Sequence, residues 1–145
     1  MQLTKWTDYS LRVLMYCAAQ QGRSTPVTIA EIERAHGISR SHLTKVVMSL
    51  AAHGYLETSR GRGGGLRLLT PAAETSVGEI VRRTETDFTL LECFDPAVNN
   101  CRMVGHCRLH SVLHEALARF LASLDGVSLA DLMSPAVMRF PLPTP

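Results

Sequence analysis

Residues 28–68 read TIAEIERAHGISRSHLTKVVMSLAAHGYLETSRGRGGGLRL, and this stretch decides the fold. It opens on Thr28 and Glu31, a T-x-x-E capping box in which a hydroxyl and a carboxylate satisfy orphan amides at a helix start. Ile29 and Ile32 then face inward along a short helix, which Gly37 is placed to end in a left-handed conformation. Ser39 stands as the N-cap of a second helix, with Leu43, Val46, Val47 and Leu50 on its apolar face and Gly54 closing it. Two short helices joined by a glycine-containing turn make a helix-turn-helix. Beyond them Tyr55-Leu56-Glu57-Thr58-Ser59-Arg60 alternates weakly and Leu66-Arg67-Leu68 alternates again, around Gly61-Arg62-Gly63-Gly64-Gly65. That pattern is a β-hairpin with a glycine-rich, basic tip, and the whole reads as a winged helix.

The flanks extend this plan. Upstream, a helix from Thr7 buries a stripe of Leu11, Leu14, Met15 and Ala18, with Cys17 beside it as a packed core thiol. A polar loop follows over Gln20 to Pro26. Downstream, Ser76 and Glu79 form a second capping box, opening a helix with Val77, Ile80 and Val81 inside. From Phe88 to His106 periodicity disappears. A long helix then begins near Cys107, with Leu109, Val112, Leu113, Ala116, Leu117, Phe120, Leu121 and Leu124 in one unbroken apolar stripe. This stripe is expected to form a dimer seam, with burial against its own domain as the competing explanation. Ser128–Asp131 reads as a further short capped helix, and the tail with Pro135, Pro141, Pro143 and Pro145 cannot continue one and is expected to be mobile. The expected architecture is mainly α with a small β-wing. A winged helix-turn-helix occupies residues 1–72, a cysteine loop and dimerisation helices occupy 73–133, and the tail is 134–145.

Composition agrees. Of 145 residues, 46% are hydrophobic and only 6% aromatic, which suits aliphatic packing between helices. No apolar run approaches the length that spans a bilayer, and the first residues lack a signal pattern, so a cytoplasmic protein without a membrane role is expected. The net charge of +2 conceals an asymmetry. Residues 1–70 hold nine Lys or Arg against four Asp or Glu, whereas residues 71–145 hold six against nine. A basic front half is what a phosphate-binding surface requires, because neutralised phosphates release condensed counterions.

On the second helix of the motif, the buried stripe leaves Ser41, Thr44, Lys45 and Met48 pointing outward, with Ser39, Arg40 and His42 at its start. Residues at the start of a recognition helix reach base edges in the major groove of double-stranded DNA. Arg40 can pair bidentately with a guanine, while Lys45 or the hydroxyls take phosphates or bases. Wing glycines let the backbone approach the duplex, and Arg60 or Arg62 can enter a narrow minor groove. A solvated helix face would be the plain explanation if this helix stood alone; the basic wing shifts the balance. No lysine follows in the spacing of a phosphate-binding P-loop.

Three of the four cysteines, Cys93, Cys101 and Cys107, fall within fifteen residues of irregular chain. In a cytosolic protein such thiols stay reduced. Gaps of seven and five residues fit structural zinc poorly, since zinc sites favour closely spaced pairs. Thiolates on flexible backbone suit an iron–sulfur cluster, and three of them leave one iron with a weaker ligand or none. That iron is open to nitric oxide, oxygen or loss, which suits a sensor better than an electron carrier. His106, His110 and Asp8 are the candidates for the fourth position. His110 lies one helical turn after Cys107, and Asp8 sits in a first turn where the helix dipole stabilises a carboxylate in any case.

Together, the opening Met1-Gln2-Leu3-Thr4-Lys5, Thr7-Asp8-Tyr9, the wing Arg60–Leu66 and the three cysteines resemble the NsrR, IscR and RirA family of dimeric iron–sulfur winged-helix regulators. The likeness runs from residue 1 to about 133 and is greatest to the nitric-oxide-sensing NsrR branch. It implies a homodimeric repressor on a palindromic operator, not an enzyme, with a cluster that is [4Fe–4S] rather than [2Fe–2S]. It also implies that Asp8 of the partner subunit completes the ligand set. His110 matches the histidine position of the IscR pattern, and Leu14-Met15-Tyr16-Cys17-Ala18-Ala19 and Glu92-Cys93-Phe94 resemble the iron-responsive RirA group. Nitric oxide ranks first as the signal and iron availability second. A metal-free thiol sensor and a small redox carrier are the alternatives from other classes; no dinucleotide fingerprint or nucleophile–base arrangement supports a redox enzyme.

Overall fold

A computed structural model describes residues 2–133. Its first helix, α1, spans Lys5–Ala19 and starts two residues before the expected Thr7, because Thr4 is the N-cap and its Oγ accepts from the Thr7 amide at 3.3 Å. Lys5 and Trp6 are exposed and carry no periodic signal. The buried face also differs from the expected stripe. Thr7, Ser10, Val13, Leu14, Tyr16, Cys17 and Ala18 are buried, whereas Leu11 and Met15 are only half-buried. Two hydroxyls sit within that face because each finds a partner: Ser10 donates to the Trp6 carbonyl and Thr7 to Glu85, both at 2.8 Å.

The helix-turn-helix consists of α2 (Ile29–His36) and α3 (Arg40–Ala52). Thr28 caps α2, but the capping box closes only halfway. The Glu31 carboxylate takes the Thr28 hydroxyl at 3.2 Å and is otherwise engaged by Arg23, with two bonds at 2.9 and 3.1 Å. Hydrogen bonding from Arg23 holds the Glu31 carboxyl below the usual carboxylate range. Gly37 ends α2 at φ +65°, in the left-handed conformation the sequence implied. At the start of α3, Ser39 is the N-cap as expected, but its side chain makes no capping bond to a helix amide. Glu33 from α2 accepts the Arg40 amide at 3.2 Å, leaving the Ser39 hydroxyl to Ser41 and to Nδ1 of His42. Leu43, Val46, Val47 and Leu50 are all buried.

The wing is an antiparallel pair, β1 (Leu56–Ser59) and β2 (Gly65–Leu68), registered Leu56 on Leu68 and Ser59 on Gly65. Val27 adds an isolated bridge to Leu66, with mutual backbone bonds of 3.0 and 2.7 Å. Gly61 and Gly63 turn the tip at φ +94° and +78°, which side-chain-bearing residues rarely adopt.

A 3-10 turn (Ala72–Glu74) leads to α4 (Val77–Thr84), and a second one (Glu92–Phe94) interrupts the chain before α5 (Arg108–Asp125) and α6 (Leu129–Leu132). Ser76 caps α4, and Ser128 with Asp131 forms a complete capping box on α6. Both ends of α4 are stitched to the end of α5 and the turn after it: the Val77 amide donates to the Val127 carbonyl at 2.9 Å, and Arg82 in the last turn forks onto the Asp125 carboxylate. One core runs through α1, α2, α3 and the wing to Ile80 and Leu129. By contrast α5 buries none of its residues, and Leu109 and Val112 remain 56% and 50% exposed. Within a single chain, then, the long apolar stripe is only partly covered: Leu113, Leu117, Phe120, Leu121 and Leu124 are half-buried, and Leu109, Val112 and Ala116 are exposed. No helix among the described residues is long and apolar enough to cross a membrane. The proline-rich tail lies outside the described residues.

Gly78 is where α4 meets the last turn of α5, with the Asp125 side chain and backbone in the space a Cβ would fill. Gly78→Ala is therefore expected to destabilise the fold by about 1–3 kcal/mol, the usual cost of overpacking. Urea titration should show a lower midpoint with an unchanged slope; an unaltered midpoint would mean the two helices are not held at this distance.

Candidate DNA interface and candidate metal centre

The local fold delivers the outward residues of α3 to one surface. Ser39, Arg40, Ser41, His42, Thr44 and Lys45 are all exposed over its cap and first two turns, and Arg60 and Arg62 are exposed on the wing. Between helix and wing lies a groove of about 450 Å³, bordered by Arg40, Thr44, Met48, Thr58 and Arg60. Thr44 donates to the Arg40 carbonyl at 2.8 Å, so its hydroxyl faces an incoming ligand with its acceptor side. Among the described residues, none of Arg40, Lys45, Arg60 and Arg62 takes part in an ion pair, leaving four guanidinium or ammonium charges unneutralised on this face. Such a surface can receive a polyanion.

One contact of this surface had no signal in the sequence. The ring of Tyr9 lies 6.1 Å from that of His42, joining the first turns of α1 to the start of the recognition helix. Glu85 was also missed. It follows α4 at its C-cap and is buried, yet an acidic residue after a helix reads as surface. Its partners Thr4 and Thr7 lie about eighty residues upstream, beyond any local pattern.

The three clustered cysteines sit between α4 and α5. Cys93 is in the 3-10 turn, Cys101 is exposed on the loop, and Cys107 is the N-cap of α5; all three are free thiols. Asn99 Oδ1 accepts the Cys101 amide at 2.9 Å, and Glu92 accepts the Asn100 amide, so local side chains shape the loop. Phe94 packs on α5, its ring 4.9 Å from His110 and 6.2 Å from His114. His106 is exposed, and Asp8 is on α1, 44% exposed and paired with Arg12 at 2.9 Å. Among the described residues, no three Cys, His, Asp or Glu side chains meet as a metal-binding group. In donor chemistry the segment fits an iron–sulfur cluster: three free thiols, solvent-reachable, on backbone with little regular hydrogen bonding to break. The fourth thiol does not belong to this set. Cys17 is buried in the core, and burial pushes it up to about 12.

Two outcomes follow from these placements. In cluster-free native protein, a thiol-specific disulfide reagent should label Cys101 fastest and Cys17 only after denaturation, since a buried neutral thiol is not nucleophilic; four equal rates would contradict the placement of Cys17. Replacing both Arg60 and Arg62 by Ala should weaken DNA binding at least tenfold and lower the salt slope by about 2, if each contacts one phosphate. An unchanged gel-shift titration would remove the wing from the interface.

Residues 3–135 match the family model Rrf2, described as an iron-dependent transcriptional regulator. The chain is 47% identical over 133 residues to the HTH-type transcriptional regulator NsrR of Bacillus subtilis, covering 92% of this chain and 90% of that protein. In fold it is similar to CymR, the global cysteine regulator of B. subtilis, with a TM-score of 0.74 at 22% identity, covering 92% of this chain and 97% of that one. It is equally similar to T. potens IscR, with a TM-score of 0.74 at 21% identity, covering 94% and 88%. A recognition helix, a basic wing and this extent of likeness converge: the chain belongs to the Rrf2 family of winged-helix transcriptional regulators, which are not enzymes.

Proposed function

We propose that the chain is a homodimeric, cytoplasmic repressor that senses nitric oxide through an iron–sulfur cluster, [4Fe–4S] rather than [2Fe–2S], and leaves its operator when the cluster is modified. The observation that carries this reading is the placement of Cys93, Cys101 and Cys107 as free thiols on one irregular segment between α4 and α5 of a family regulator. Residues 1–72 then provide DNA binding, through Ser39, Arg40, Ser41, His42, Thr44, Lys45, Arg60 and Arg62, and residues 73–133 provide sensing and assembly. When bound, the cluster supplies an iron with an incomplete thiolate set, the point at which nitric oxide attacks.

The chain's own residues do the rest. Cys93, Cys101 and Cys107 would hold the group as thiolates, and Asp8 of the partner subunit completes the set, with His110 as the alternative. Asp8 is followed by Tyr9, whose ring touches His42, so a shift of the first turn of α1 bears directly on the base-reading helix. The partly exposed apolar stripe of α5 supports twofold assembly, and a twofold dimer reads a palindrome with half-sites about one helical turn apart. A second reading, iron availability as the signal, is favoured by the family's description as iron-dependent.

The test is spectroscopy of the full chain, purified without air, during titration with nitric oxide, followed by operator binding and sedimentation on the same sample. Broad visible absorption should bleach in proportion to added nitric oxide, and operator affinity should fall about 5- to 150-fold, the usual span of coupling between sites. A colourless iron-loaded dimer with full affinity refutes the cluster. Loss of affinity on iron chelation but not with nitric oxide selects the second reading.

A further inference from the structure

Met48 stands apart from the residues assigned so far. It lies on α3 in the groove shared with the wing, beside Arg40, Thr44 and Arg60, and is 68% exposed. Ile29, Val47 and Leu66 of the same groove are buried or half-buried, whereas Met48 stands in water and gains nothing for the folded monomer there. It gains only if a partner covers it. Met48 follows Arg40 by eight residues, about 12 Å along the helix axis. That distance is comparable to the width of the major groove, roughly 12 Å, so Arg40 and Met48 can both meet base edges of one half-site. The major groove displays donors and acceptors on every base pair but only one apolar group, the C5-methyl of thymine.

We infer that Met48 is a specificity-determining residue that selects thymine at defined operator positions by covering its C5-methyl group. The inference rests on the DNA-binding reading above and goes beyond it by naming a base and an atom. The thioether chain is flexible enough to settle on a methyl group, and no hydrogen bond is required of it. Arg40 and the hydroxyls of Ser41 and Thr44 would then read polar edges at the start of the helix, while Met48 reads an apolar one two turns later.

The experiment uses the full chain, purified without air, to select its operator from random duplex DNA. Each thymine of the selected operator is then replaced by deoxyuridine, which removes the methyl and nothing else. Affinities are compared for wild type, Met48→Ala and Met48→Leu. Exposure of Met48 makes both variants benign for folding, and a matched urea midpoint verifies this. At one or two thymines per half-site, methyl removal should weaken wild type about fourfold per half-site, the worth of one buried methyl group. The same removal should leave Met48→Ala unaffected, and Met48→Leu should regain most of the difference. Equal losses for wild type and Met48→Ala at every thymine overturn the role of Met48 while leaving DNA binding intact. Failure of wild type to enrich any duplex overturns the DNA-binding reading and this inference with it.

Discussion

The Oε2 oxygen of Glu85 receives the Thr4 amide at 2.8 Å, the Thr4 hydroxyl at 3.1 Å and the Thr7 hydroxyl at 2.8 Å. This buried carboxylate fastens the start of α1 to the end of α4 across most of the described chain. Hydrogen bonds to a charged group contribute about 1.5–3 kcal/mol each, and the positive end of the α1 dipole favours a carboxylate there. The position matters as much as the energy. Glu85 is the last fixed point before the cysteine segment, and the turn it grips also carries Asp8. Both elements that the proposed sensor employs are thus rooted in one polar knot.

From that knot α1 reaches the DNA face by a short route. It packs against α3, α4 and α6, and Tyr9 touches His42 at the start of the recognition helix. Interiors packed around residues such as Val13, Leu14, Leu43 and Leu50 do not deform smoothly. A displacement of α1 therefore moves α3 as a body. The wing packs on α1 as well, and Arg67 donates to the Arg23 carbonyl at 3.0 Å and to that of Ser24, tying β2 to the loop before α2.

What the sequence made legible was local. Thr28, Gly37, Ser76, Ser128 and the glycine tip announce their elements because capping and left-handed turns are decided within four or five residues. The winged helix followed from these signals and belongs to a chain of the matching family. Errors arose where a distant partner intervened. Thr7 faces the core because distant Glu85 receives its hydroxyl, and Ser10 because the Trp6 carbonyl one turn back receives its own, so apolar periodicity misplaced the buried face of α1. Ser39 holds the N-cap position, but its hydroxyl turns to Ser41 and His42 while Glu33 accepts the Arg40 amide. The eight residues proposed to face DNA came from subtracting the buried stripe from α3 and from the charge of the wing, and all eight are exposed. Tyr9 and Glu85 could not be found in that way, since their contacts exist only once α1 is docked.

The junction at Gly78 and Asp125 has a mechanical side. It grips α5 near its C-terminal end, while Cys107 caps the opposite end, eighteen helical residues away. At 1.5 Å per residue that is an arm of about 27 Å. A tilt of about 5° at the grip sweeps the far end, where Cys107 sits, through roughly 2 Å. The absence of a side chain at position 78 sets how closely the fulcrum is seated, and so how faithfully small rotations are converted into travel.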